Sequence, residues 1–274
     1  MSSSNKNESD ITYFEITTKE GHVFKTLSEI MYNLGGKDDI LILMINKKGI
    51  FFHKSSNNKN IYNVCKLDRR NFTPFIFNND DDKMNVIPLN IEEFYYKLKA
   101  VKKTEKIKLY LKKEETDVLF IDICNKENSK ISTIKLKVLP LTEEVISFNE
   151  EKYSDDELTV TTQGGDFQNI CKKMNQYTEF ISIKAQTNGM WFHCMTEDNK
   201  EGEGDILGIF DKNKDNIYNE IFPSRYFHKL NKIGCLSKLV KIYAADNSKP
   251  LFINADAGCL GTFNTYIMQQ KIDI

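Results

Sequence analysis

Apolar residues along the chain follow two periods. Val23, Leu27, Ile30 and Leu34 recur at three- and four-residue spacings with Met31 beside them, which predicts a helix with one buried stripe. The same spacing predicts three more helices, on Ile91, Phe94, Leu98 and Val101, on Phe167, Ile170, Cys171 and Met174, and on Tyr226, Leu230 and Ile233. Between them the pattern alternates, over residues 41–45, 107–111 and 131–138, as in strands with one dry and one wet face. Asn90 can cap the second helix, with Glu93 as a capping-box partner, and Pro223 fits the first turn of the fourth. The fold class is therefore α+β.

The pattern repeats. Gly49-Ile50-Phe51-Phe52-His53 returns 140 residues later as Gly189-Met190-Trp191-Phe192-His193. Upstream, Leu27, Ile30, Met31 and Leu34 return as Phe167, Ile170, Cys171 and Met174, and the strand 41–45 as 181–185. Further on the spacing becomes 132: Phe94, Leu98 and Val101 match Tyr226, Leu230 and Ile233, and Leu119-Phe120-Ile121 matches Leu251-Phe252-Ile253. Matches in the same order indicate a duplicated domain. Each copy runs strand, helix, several strands, helix, several strands. The copies span 11–138 and 158–274, after a disordered tail over 1–10. The connection 139–157 holds seven carboxylates and one Lys around a few apolar residues. A loop of that length is usually mobile or functional.

Composition narrows the function by exclusion. The hydrophobic share of 40%, with 18 Phe and 12 Tyr, fills a core and excludes intrinsic disorder. Cations and anions nearly cancel, 38 against 39, so no global field draws the chain to nucleic acid or membrane. No apolar run reaches membrane-spanning length, and residues 1–10 lack the basic start and apolar segment of a signal peptide. The six cysteines are scattered without CxxC spacing, as in a reducing, intracellular compartment. The four histidines (His22, His53, His193, His228) form no HxxxH or HxH pair, and no GxSxG, Walker or dinucleotide motif occurs. Asp80-Asp81-Asp82 reads as a solvated loop, and the repeated His53 and His193 read as structural. The chain is expected to be no enzyme, with no cofactor and no metal.

The positive charge is segregated. On helical wheels Lys25, Lys99, Lys103, Lys172, Arg225 and Lys232 lie opposite the buried stripes, with Lys97, Lys102 and Lys173 beside them. Acids are sparse on those faces, Glu29 and Glu92 excepted, while the connecting loop is strongly acidic. Such a face suits phosphate contact without base reading.

With Asp166-Phe167-Gln168-Asn169-Ile170-Cys171-Lys172, Ser224-Arg225-Tyr226-Phe227, Lys249-Pro250-Leu251 and Ala255-Asp256-Ala257-Gly258-Cys259-Leu260, the chain resembles a DNA sliding clamp of the proliferating cell nuclear antigen (PCNA) type over about residues 11–270. The resemblance implies a homotrimeric ring, sheets outside and four helices lining a hole around duplex DNA. It implies DNA-facing cations at Lys25, Lys99, Lys172, Arg225 and Lys232, to which Lys97, Lys102, Lys103 and Lys173 add. Tyr96 and Asn169 stand where cations are usual. Subunits would join through the strands 130–138 and 205–210, with Ile131, Ile134, Leu136, Ile206 and Ile209 at the interface. Client peptides would dock under the connecting loop at Tyr62, Ile146, Phe148, Pro250 and Phe263, with Ser55 and Lys59 departing from the family's pocket. Implied partners are DNA polymerase, a clamp loader, and clients of the DNA ligase and flap endonuclease type. The Lys, Asn and Ile bias and the departures from the family pattern point to a large DNA virus or an AT-rich protist, the virus preferred, and the resemblance implies the nucleus or a viral replication site in a host cell.

The expected function is thus a polymerase processivity factor serving replication and repair. The alternatives are a monomeric or heteromeric clamp-like accessory factor, and a duplicated structural scaffold that never meets DNA.

Overall fold

The computed structural model describes residues 12–34, 39–56, 59–78, 84–125, 127, 129–141, 153, 159–195 and 201–269. The tail 1–10, the Asp80–Asp82 run and most of the connecting loop, including Ile146 and Phe148, lie outside the described residues.

The first half begins with β1 (Thr12–Thr18), α1 (Gly21–Leu34), β2 (Ile40–Asn46), β3 (Gly49–Ser55) and β4 (Ile61–Asp68). It continues with β5 (Phe75–Phe77), β6 (Asn85–Asn90), α2 (Ile91–Leu98), β7 (Lys106–Lys112), β8 (Val118–Cys124) and β9 (Lys130–Lys137). The second half holds β10 (Thr159–Gln163), α3 (Gly164–Tyr177), β11 (Phe180–Gln186), β12 (Gly189–Met195) and β13 (Glu201–Gly208). It ends with β14 (Tyr218–Pro223), α4 (Ser224–Lys229), β15 (Leu239–Tyr243), β16 (Leu251–Asp256) and β17 (Gly261–Ile267). The fold is α+β, with four α-helices and antiparallel sheets among the described residues.

The strands form three sheets, ordered β5-β1-β7-β8-β9, β10-β15-β16-β17-β4-β3-β2-β6, and β13-β12-β11-β14. The middle sheet crosses from one half to the other where β4 pairs antiparallel with β17, from Ile61 opposite Ile267 to Leu67 opposite Gly261. The duplication is visible in these orders. The run β6-β2-β3-β4 is repeated as β14-β11-β12-β13, and β9-β8-β7-β1 as β17-β16-β15-β10. One residue is lost before the final strand: Ile253 faces Thr265, whereas its equivalent Ile121 faces Ile134. The repeated glycine that opens β3 and β12 has a repeated cause. A Cβ on Gly49 would lie 2.0 Å from the Leu67 carbonyl oxygen, and one on Gly189 would lie 2.3 Å from that of Ile209. Only glycine admits so close a backbone approach.

The helices lie side by side, because α1 packs on α2, α3 on α4, and α1 on α4. Their predicted apolar stripes are buried in one core with the inward strand residues. The second helix is shorter than the periodicity predicts: it ends at Leu98, and Val101 reaches the core through a turn in which its N–H donates to the Leu98 carbonyl. Asn90 caps α2 as predicted, its side-chain oxygen accepting from the Glu93 N–H at 2.8 Å. Pro223 precedes α4 instead of occupying its first turn. The cysteines are free; burial pushes the thiols of Cys65 and Cys171 above their usual range, as expected of inert core residues.

A polar network ties the two halves beneath the helices. Lys229 donates to the Leu34 carbonyl at 3.1 Å, the Asn60 side chain donates to the Tyr226 hydroxyl at 2.9 Å, and Lys54 pairs with Asp39 at 2.8 Å. Burial lowers the Lys54 pKa; Asp39 opposes that shift and Lys229 adds to it. A lysine whose folded-state pKa lies below its unfolded value disfavours folding when both states are protonated, and this penalty fades as pH rises through the lowered pKa toward the ordinary one. Asp39→Asn leaves the Lys54 ammonium without its counter-charge and is expected to cost about 3 kcal/mol at neutral pH, with the deficit shrinking toward alkaline pH. Urea denaturation of both proteins over a pH series measures it.

Candidate nucleic-acid interface and partner groove

The side of the helix layer turned away from the sheets collects the expected cations. Lys97 and Lys99 close α2, Lys102 and Lys103 sit in the turn after it, Lys172 is on α3 and Arg225 on α4; all are exposed. The wheel therefore misplaces Lys102 and Lys103, which belong to a turn, although they remain on the surface. Three of the expected cations are held by the protein. Lys25 donates to the Val101 carbonyl at 3.4 Å, bracing α1 against the end of α2. Lys232 pairs with Glu29 at 3.3 Å, bridging the halves. Lys173 pairs with Asp205 of β13 at 3.0 Å. These contacts reduce what Lys232 and Lys173 can offer an anion. His22, Lys25, Lys102, Lys103 and Cys235 line an open groove where α1 meets the end of α2 and the turn after α4.

The expected interface residues divide by strand parity. Ile131 is 56% exposed and Ile206 is 45% exposed, each on the edge strand of its sheet. Ile134, at 8%, and Leu136 face the core. This corrects their expected placement: successive strand residues point to opposite faces, and the core takes this pair. β13 begins at Glu201 and ends at Gly208, so Ile209 lies just past the strand and exposed.

The partner groove is also corrected. Phe263 is buried in the core opposite Cys65 and Ala255. Parity places Tyr266 on the outer face, where it joins Val64, Tyr243 and Phe252 in a separate aromatic cluster. Tyr62 packs against that cluster, and its hydroxyl is 3.0 Å from His53 Nδ1. Pro250 is buried and its carbonyl accepts a 2.7 Å hydrogen bond from the Tyr153 hydroxyl. The Tyr153 ring stacks on Phe252 at 4.7 Å and 25°, and the Lys249 ammonium lies 5.4 Å from its centroid. Thus Tyr153, one of the described residues of the acidic connection, covers the cluster. The resemblance implies Phe263 without regard to strand parity; Thr265 and Ile267 share the buried face of Phe263, and alternation leaves Tyr266 on the other. Among the described residues no group of His, Cys, Asp and Glu could hold a metal, and no helix is long and apolar enough to cross a membrane.

No family model and no curated protein matches the sequence. Among solved structures, the crystal structure of Proliferating Cellular Nuclear Antigen from Entamoeba histolytica superposes with a TM-score of 0.77 over 95% of this chain and 100% of that one, at 16% identity. The fold is PCNA-like. The side-by-side helices and the sheet continuous across two similar halves are thus the architecture of a PCNA-like fold, carried by a sequence only 16% identical to that of the neighbour.

Parity also yields a test of the edge strand. Ile134→Asp places an unpaired carboxylate in the core and is expected to cost about 4 kcal/mol or more, whereas Ile131→Asp leaves the unfolding midpoint nearly unchanged. Circular dichroism during urea denaturation distinguishes them; equal stability would place both side chains on the same face.

Proposed function

We propose that the chain is a DNA sliding clamp, a non-enzymatic processivity factor whose copies close head to tail into a three-membered ring around duplex DNA. The observation that carries this reading is an unmade junction. Within the chain, β4 of one half pairs with β17 of the other. Their equivalents, β13 and β9, both lie at sheet edges. Unpaired edges template pairing with another chain, and closing a ring removes them. The two strand sequences have opposite charge: β9 carries Lys130, Lys135 and Lys137, and β13 carries Glu201, Glu203 and Asp205. Transferring the Lys66–Thr262 pairing of the made junction places Ile206 opposite Ile131. The two exposed isoleucines then cover each other on one face.

In this reading the halves 11–138 and 158–274 are the clamp domains and 139–157 the loop that joins them. The cations of the helix layer slide on phosphates without reading bases. High affinity is unnecessary, because a closed ring leaves DNA only at an end or on opening. Outside, the cluster around Tyr62, Pro250, Phe252 and Tyr266, with Ile146 and Phe148 of the loop, takes the apolar anchor of a polymerase, ligase or flap endonuclease in place of Tyr153, and a loader opens the ring. The loop's carboxylates favour clients with flanking Lys or Arg. The composition supports an AT-rich source such as a large DNA virus, with the protein at the site of replication.

Two measurements test the reading. Neutralising Lys97, Lys103, Lys172 and Arg225 together should weaken binding to all duplex sequences alike and reduce the log–log salt slope by up to about 3.6, at roughly 0.9 per phosphate contact; an unchanged slope moves DNA off these helices. Ile131→Cys with Ile206→Cys, in a background where the exposed Cys235 and Cys259 are serine, should oxidise to covalent dimers and closed trimers on a non-reducing gel. Moving the second cysteine to Asp205 should largely abolish them. A chain that stays monomeric by mass at micromolar concentration would favour a clamp-like accessory factor instead.

A further inference from the structure

The helix-side face of the middle sheet carries a polar row where the halves join. Lys54 of β3 stands opposite Asn63 of β4, and Asn63 stands opposite Thr265 of β17. All three are buried, Lys54 at 5% and the other two at 0% exposure. They alternate along their strands with the core residues Phe52, Ile61, Cys65, Phe263 and Ile267. The duplication shows that the fold does not require polar groups at these places. The residue 140 positions after Lys54 is Cys194, and the counterpart of Thr265 is Ile134, which faces Ile121 as Thr265 faces Ile253. Cys194 and Ile134 both lie in the apolar core.

Donors exceed acceptors along this row. The Thr265 hydroxyl donates to the Asn63 side-chain oxygen at 2.7 Å. The planar amide then presents its nitrogen away from that hydroxyl, and Lys54 flanks Asn63 on its other side. That nitrogen is buried and has no hydrogen-bond partner. The Lys54 ammonium has three protons, of which one is donated to Asp39 at 2.8 Å. Lys229, held by the Leu34 carbonyl, brings a second positive charge to the same carboxylate. A buried donor of this kind calls for an acceptor, supplied by a water or an ion. Water brings two protons that need acceptors of their own, whereas an anion only accepts. Two ammonium groups against one carboxylate favour the anion.

We propose that Lys54 and Asn63 hold a small monovalent anion of chloride size at the junction of the two halves. The partly exposed Asp39 side chain connects the site with solvent. An anion bound only by the folded chain stabilises it by mass action, so the junction tightens as the anion concentration rises. The site needs neither ring nor DNA and survives failure of the clamp reading.

The experiment is urea denaturation of the full chain at neutral pH and constant ionic strength. Sodium chloride is exchanged stepwise for sodium gluconate, whose anion is too large for a buried site. Above the dissociation constant, each tenfold rise in chloride should raise the folding equilibrium constant roughly tenfold. Asn63→Asp puts a carboxylate in the place of the anion. It should remove this dependence and be at least as stable as the native chain in gluconate. Asp39→Asn removes a repelling charge, so its stability deficit should narrow as chloride rises. A native chain indifferent to the exchange overturns the proposal and leaves a buried water as the occupant. A chloride dependence that Asn63→Asp keeps undiminished is general salt action, and it overturns the proposal too. If Asn63→Asp does not fold, bromide soaked into crystals of the native chain decides. An anomalous peak in contact with the Lys54 ammonium and the Asn63 amide nitrogen supports the site, and its absence there overturns it.

Discussion

The antiparallel pairing of β4 with β17 is the contact on which the rest of the structure depends. It turns two similar halves into one continuous sheet and thereby fixes the line of four helices laid across it. Without it, α1 and α4 would not be neighbours, and Lys232–Glu29, Lys229–Leu34 and Asn60–Tyr226 would not form. A ladder of backbone hydrogen bonds suits this task because it sets distance, direction and register together.

The same pairing explains what is left over. A duplicated unit that joins one end to the other inside the chain retains one unjoined copy of each end, here β9 and β13. Such edges are a liability unless something covers them. In the proposed ring, assembly of identical chains would reuse a solution already present within each one.

The two surfaces of the layer differ in chemistry for a simple reason. Helix residues turned from the sheet meet water, so cations are tolerated there. On the opposite sheet face, aromatic residues of β4, β15, β16 and β17 gather where the halves meet, and the connecting segment lays Tyr153 over them. That contact links the acidic connection to the same junction that organises the helices.

The sequence by itself determined the four helical stripes, the duplication and its spacing, the cap at Asn90 and the placement of most cations, because each is written in periodicity within a few residues of itself. It also supplied the resemblance from which the clamp fold was expected. Only the tertiary structure decided which residues share a face across strands. Ile134 and Phe263 look like surface candidates in a linear reading, yet parity counted from their paired neighbours Ile121 and Ala255 sends both to the core. Tyr266 and Tyr153, far apart in sequence, meet over Phe252 only after β16 and β17 have paired. Lys173 and Lys232 read as free cations until folding brings Asp205 and Glu29 to them. Local pattern sets the elements, since helix and strand periods are local; the partners of a side chain depend on register and on contacts between distant segments, which no single stretch of sequence contains.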